Sequence, residues 1–202
     1  MSQSNNSLRY RSENAFSVHK ERRLLMDEIN LGADFSKGDE KALSHVINTY
    51  GQRLLRYCHN ILCDYSEAQD AVQITFIKAY EKRESFKPGT SLSSWLYKIA
   101  YNTCIDIIRK KRLLFFLPDI HQSTSSDNFI CDDLKKALLS LKPDERALVF
   151  SRIIDEKSFN ELQNIYQCSA ATLRKRYERA KKKLAKSLKE SNSYYLRLEE
   201  GK

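Results

Sequence analysis

Glycine and proline are too scarce in this chain to punctuate a sheet protein: 5 and 3 among 202 residues. Turn-rich β folds need such residues at nearly every chain reversal. Long stretches instead place apolar side chains three or four residues apart, which is the helical period. The pattern predicts an all-α chain of two small helical domains joined by a flexible linker. The divisions fall at residues 1–32 (an N-terminal extension with a short helix over Lys20 to Ile29), 33–112, a linker at 113–130, 131–190 and a tail at 191–202. Each block has a thin core of its own, so partner binding would help to stabilise it.

The linker is read from composition. Pro118, the run Ser123, Thr124, Ser125 and Ser126, and the acids Asp119 and Asp127 occur there with no Lys or Arg. Its opening residues, Leu113 to Leu117 (LLFFL), are more apolar than a simple tether and predict packing against the first block or a partner. Charge divides along the same lines. Residues 33–112 hold 13 basic and 9 acidic side chains, and residues 131–190 hold 15 and 9. Within a chain of formal net charge +9, both blocks suit a polyanionic partner, nucleic acid or an anionic membrane surface.

The second block carries the sharper motif. Ser158 and Glu161 have capping-box spacing, and Leu162, Ile165 and Tyr166 form a short apolar face behind them. After a break over Gln167 to Ala170, Ser169 can cap a longer helix. Its stripe is Leu173, Tyr177, Ala180, Leu184 and Leu188. Around that stripe stand Arg174, Lys175, Arg176, Arg179 and four more lysines, with Glu178 the one acid among them. A short helix, a tight turn and a basic helix make a helix-turn-helix whose second helix enters the major groove of DNA. Ser169, Thr172, Arg174, Lys175, Arg176 and Arg179 are the candidate contacts; Glu178 would accept from a cytosine or pair with an arginine. Upstream, Leu134, Leu138 and Leu141 mark one supporting helix. Pro143, Asp144 and Glu145 start another, with Leu148, Val149, Ile153 and Ile154 as its buried face.

The first block offers two surfaces. Ser66 and Gln69 open a helix with core face Ala68, Val72, Phe76, Ala79 and Tyr80. Its other side carries Asp70, Gln73, Ile74 and Ile77, which suit either a docked protein or a neighbouring helix. Beyond a loop with Phe86, Pro88 and Gly89, a helix buries Leu92, Leu96, Ile99 and Thr103. A row of Lys98, Asn102, Asp106 and Arg109 runs beside Trp95, Tyr97 and Tyr101. Cations among aromatic rings suit single-stranded DNA, because bases stack on rings while cations follow phosphate; Trp95 itself reads better as a core residue.

Other classes receive little support. No run of about 20 apolar residues predicts a membrane span, and the polar start from Met1 to Tyr10 has no apolar region of a secretory signal. Cys58, Cys63, Cys104, Cys131 and Cys168 lack metal-ligand spacing and read as buried thiols of a cytoplasmic protein, with no metal or cofactor expected. No paired carboxylates, activated nucleophile or phosphate-binding glycine loop predicts an enzyme.

Three segments, in order, resemble the extracytoplasmic-function (ECF) group of RNA polymerase sigma factors. DAVQITFIKAY (Asp70 to Tyr80) is similar to the polymerase-binding helix of that group. SLSSWLYKIAYNTCIDIIRKKR (Ser91 to Arg112) is similar to the helix that melts and reads the minus-ten element. SFNELQNIYQCSAATLRKRYERAKKKL (Ser158 to Leu184) is similar to the helix-turn-helix that reads the minus-thirty-five element. The resemblance covers about residues 33–190 and implies a transcription initiation factor whose partners are core RNA polymerase, promoter DNA and an anti-sigma protein. It assigns Asp70, Gln73 and Ile77 to polymerase; Phe86, Trp95, Lys98, Asn102 and Arg109 to the melted strand or the support behind it; and Arg174, Lys175, Arg176 and Arg179 to the minus-thirty-five duplex. Gln163 and Gln167 stand where the group usually has Ala and Gly, and Lys175 where a small residue is common. The competing expectation is a helix-turn-helix regulator that binds duplex DNA without polymerase. It leaves the row on residues 91–112 unexplained.

Overall fold

The computed structural model describes residues 26–115 and 132–191. Among them there are helices and turns and no strand, the all-α architecture expected. Helix α1 covers residues 26–36, followed by α2 (Glu40–Leu62), α3 (Tyr65–Glu81), a 3-10 turn (Arg83–Ser85) and α4 (Leu92–Phe115). The second segment holds α5 (Asp132–Ser140), α6 (Pro143–Ile153), α7 (Phe159–Tyr166) and α8 (Ala170–Ser191).

Local chemistry explains most boundaries. Asp39 caps α2 by accepting from the Ala42 amide at 2.7 Å. Helix α3 is capped by Asp64, which accepts from the Glu67 amide at 2.9 Å, so it starts earlier than the Ser66–Gln69 spacing predicted. Ser91 caps α4 through the Ser94 amide at 3.2 Å. Pro143 occupies the first turn of α6, and Glu145 accepts from the Lys142 amide at 2.8 Å. At α7 the predicted capping box is present: Ser158 accepts from the Glu161 amide, and Glu161 accepts from the Ser158 amide.

Helix α1 belongs to the first block, which therefore begins before residue 33. Phe35 is buried, and Glu28 accepts from the Ser93 amide at 3.0 Å and from the Ser91 hydroxyl. A carboxylate at that point also meets the positive end of α4. Gly32 lets α1 approach the loop that leads into α4, because a Cβ there would lie 2.8 Å from the Phe86 ring. At the other end α4 runs on to Phe115, three residues into the predicted linker, with Leu113 exposed. The rest of that linker lies outside the described residues, as do residues 20–25 of the expected N-terminal helix.

The two blocks pack against each other, and buried residues of both join one core. Tyr57 on α2, wholly buried, stacks on Tyr97 of α4 at 4.8 Å and meets Phe150 of α6 at 6.1 Å. Helix α6 lies between α2 on one side and α8 on the other. Its buried residues are therefore Arg146, Ala147, Leu148, Val149, Phe150 and Ser151. Ile153 and Ile154, predicted to be buried, come after this contact and are exposed, as is Leu134 on α5. In the first block Val72, Phe76 and Tyr80 pack as expected, joined by the buried Ala71 and Thr75. Cys58, Cys63 and Cys104 are buried free thiols and Cys168 is half-buried.

Candidate nucleic-acid and protein interfaces

The helix-turn-helix is formed by α7 and α8. Leu162, Ile165 and Leu173 are buried and join the core. The turn is made without glycine. Gln167 takes the left-handed conformation (φ 52°) and its amide donates to Gln163 O at 2.9 Å. The Gln163 side chain reaches across to accept from the Ala170 amide at 3.1 Å, satisfying a donor at the start of α8 that has no intrahelical partner. Ser169 caps α8 through the Thr172 amide, and the two hydroxyls lie 2.9 Å apart.

From that turn the predicted stripe faces inward, with Leu173 and Ala180 buried and Tyr177, Leu184 and Leu188 half-buried. Ser169, Thr172, Arg174, Lys175, Arg176 and Arg179 are all exposed. The Arg174 guanidinium lies over the Phe159 ring at 5.2 Å, so the side chain is held by α7 while its charge stays at the surface. Glu178 pairs with Lys181 at 3.1 Å rather than with an arginine. The first two turns of α8 thus present several cations and two hydroxyls to solvent.

On α4 the expected row is largely open. Asn102, Asp106 and Arg109 are exposed and Lys98 is half-buried. Lys78 of α3 reaches Thr103 at 3.3 Å and lies 4.0 Å from Asp106, which is 3.8 Å from Arg109. The aromatic residues divide. Trp95 is half-buried, its ring 5.4 Å from Phe86 and 6.3 Å from Phe35. Phe86 is itself buried, so it stands behind Trp95 and cannot touch a nucleic acid in this structure. Tyr97 is also buried, under the Lys157 ammonium at 4.4 Å, and so leaves the expected set of surface rings. Tyr101 keeps a partly open ring, edge-on to Tyr166 at 5.0 Å.

On α3 the outward side carries Asp70, Gln73, Ile74 and Ile77, all exposed, Ile77 to 58%. No other helix among the described residues covers those isoleucines, which disposes of the reading that they meet a neighbour within the block.

The joint between the blocks has no counterpart among the sequence motifs. Arg146, in the run PDERALVF, is not singled out among them, yet it is only 6% exposed. Asp155 is another missed residue: burial pushes its carboxyl above the usual range, against the opposing pull of the Tyr97 hydroxyl and of Lys157, Arg56 and Arg53.

Comparison with known proteins agrees with this arrangement. The Sigma-70 region 2 family matches residues 46–113, which run from within α2 to near the end of α4. The ECF sigma factor SigW of Bacillus subtilis is 28% identical over 173 residues, covering 76% of this chain and 92% of SigW. The sigma-H factor of Pseudomonas aeruginosa is 26% identical over 177 residues, covering 75% of this chain and 89% of that protein. Among solved structures, the sigma factor RpoE of Bartonella quintana, in complex with the anti-sigma factor NepR, aligns over 74% of this chain and 98% of its own. That alignment has a TM-score of 0.63 and 26% identity. CnrH, solved with the cytosolic domain of CnrY, shares the fold at a TM-score of 0.66 and 21% identity. With its three motifs carried in order on α3, α4 and α7–α8, the chain carries a Sigma-70 region 2 match and is similar over about three quarters of its length to sigma factors of the ECF group.

Proposed function

We propose that this sigma factor captures core RNA polymerase through the outward face of α3 and brings it to promoters, with α4 against the minus-ten strand and α8 in the minus-thirty-five major groove. The observation that carries the assignment is the set of cations and hydroxyls turned outward at the start of α8, behind a turn closed by hydrogen bonds from the Ala170 and Thr172 amides to the Gln163 and Ser169 side chains. Asp70, Gln73 and Ile77 hold the polymerase. Lys98, Asn102 and Arg109 follow the melted strand, with Trp95 beside them and Phe86 as its support. Arg174, Lys175, Arg176 and Arg179, with Ser169 and Thr172, contact the duplex; the arginines are suited to bidentate contacts with guanine or phosphate. The protein acts in the cytoplasm, catalyses no reaction itself and is held in check by an anti-sigma protein. No described helix is long and apolar enough to cross a membrane.

Transcription in vitro from cellular DNA fragments with purified core polymerase tests the reading. Promoter-dependent transcripts are expected. Asp70→Lys should impair polymerase capture while leaving the helical signal intact. Arg176→Ala should weaken duplex binding by about 1–3 kcal/mol if it makes a bidentate base contact. Absence of transcripts from every fragment, together with no polymerase capture, would refute the assignment.

A further inference from the structure

Resting on the promoter assignment above, we propose that Lys175 sets the sequence preference of the minus-thirty-five contact by donating to the major-groove acceptors of a guanine. The buried side of α8 fixes where Lys175 stands. Leu173 and Ala180 are buried, and Tyr177 between them is half-buried. At about 3.6 residues per turn, Lys175 falls about 180° round the helix from the middle of that stripe. Arg174 and Arg176 fall about 100° to either side of Lys175 and so occupy the flanks. A helix lying in the major groove turns its outermost side to the base edges and its flanks to the phosphate backbones.

The neighbours of Lys175 are tethered, and Lys175 is free to reach. The Arg174 guanidinium lies 5.2 Å from the centre of the Phe159 ring. That ring also meets Tyr177 edge-on at 5.9 Å and carries the Arg152 guanidinium at 4.7 Å, so it is fixed where α6, α7 and α8 come together. On the other flank, Arg176 lines a small cavity with Asp144 and Tyr166 of the same block. Arg179, one turn further on, shares the side of Lys175. Its Nε donates to Lys175 O at 3.3 Å, which lays the guanidinium back along the helix. Glu178 is paired with Lys181 at 3.1 Å. One turn before Lys175, the exposed Ala171 presents only a methyl, so no long side chain holds the start of α8 off the floor of the groove. The exposed Lys175 ammonium meets no partner among the described residues.

The choice of base follows from donors and acceptors. An ammonium offers donors and no acceptor. Guanine presents two adjacent acceptors in the major groove, O6 and N7. Adenine sets a donor beside its N7, thymine sets a methyl beside its acceptor, and cytosine offers a donor. A lysine at the outermost point of α8 therefore favours guanine and disfavours cytosine in the same place.

Binding selection with holoenzyme, assembled from core polymerase and the full-length chain, tests this on promoter duplexes randomised across the minus-thirty-five region. Wild type should require guanine at one position, and changing that pair to A·T should cost about ten- to a hundredfold in affinity. At the same position 7-deazaguanine, which keeps the base pair but lacks N7, should also weaken binding. Lys175→Ala should lose the preference there and keep it at every other position. It should fold as wild type does, because an exposed side chain without a partner is exchanged for the best helix former. Lys175→Arg should restore the guanine preference. Arg174→Ala should weaken all sequences alike, as the loss of a backbone contact does. Unchanged base preferences in Lys175→Ala, or a loss spread evenly over all positions, would overturn the proposal. Absence of both transcripts and polymerase capture with wild type would instead sink the promoter assignment. Selection from random duplexes by the full-length chain on its own, with the same variants, would then still decide the role of Lys175.

Discussion

The hydroxyl group of Tyr166 is the most informative single atom to remove. It lies 3.0 Å from the Tyr57 hydroxyl and 3.2 Å from Ser151 Oγ, and both of those residues are wholly buried. Tyr166→Phe keeps the ring and leaves two buried hydroxyls without this partner. An orphaned buried hydroxyl costs about 1–3 kcal/mol. Ser151 sits within α6 and can turn toward a carbonyl one turn earlier, which puts its share at the low end. The expected loss is therefore about 2–4 kcal/mol. Tyr57→Phe should cost only about 1 kcal/mol, because Tyr166 keeps Ser151. The double variant should cost less than Tyr166→Phe alone, since the orphan on Tyr57 is gone as well. Urea unfolding of all four proteins, followed by circular dichroism and Trp95 fluorescence, gives the cycle. Equal costs for the two single variants, with strict additivity in the double, would show that the three hydroxyls do not act as a chain.

Two further outcomes come from other parts of the joint and core. Gly32→Ala should destabilise the first block by about 1–3 kcal/mol in the same urea assay, because the new methyl meets the buried Phe86 ring at 2.8 Å; a neutral result would mean that α1 can shift away from α4. Burial raises the Asp155 carboxyl pKa, so the folded chain prefers it protonated. That preference stabilises fully below the unfolded value of about 3.9 and is lost as pH rises through the elevated one. Wild type should accordingly lose stability relative to Asp155→Asn across the weakly acidic range, as read from melting temperatures against pH; parallel profiles would remove Asp155 from the joint's pH response.

Much of the fold was legible because its signals are local. The capping pair Ser158–Glu161 and the spacing of Leu173, Tyr177, Ala180 and Leu184 report on contacts within one or two helical turns, and the structure holds them as expected. The outward row on α4 and the exposed side of α3 follow from the same periodicity. What periodicity cannot report is which of two faces meets a distant helix. Helix α6 buries residues on two sides, so six consecutive residues are covered and the stripe expected through Ile153 and Ile154 does not exist. Tyr97 was misread, and Arg146 passed over, for the same reason: their partners, Asp155 and Ile61, are 58 and 85 residues away in sequence. For Phe86 the sequence left contact with the strand and support behind it both open, because a loop aromatic carries no periodic signal to say whether it faces inward.

The Gln163–Ala170 hydrogen bond bears on how such turns are recognised across genomes. A side-chain amide that fastens the neighbouring helix supplies rigidity that a small residue would otherwise provide through close contact, and it accompanies a left-handed residue that is not glycine. Search patterns demanding Ala and Gly at these two places will pass over chains that close the corner with paired glutamines. Scoring the two sites jointly recovers such chains.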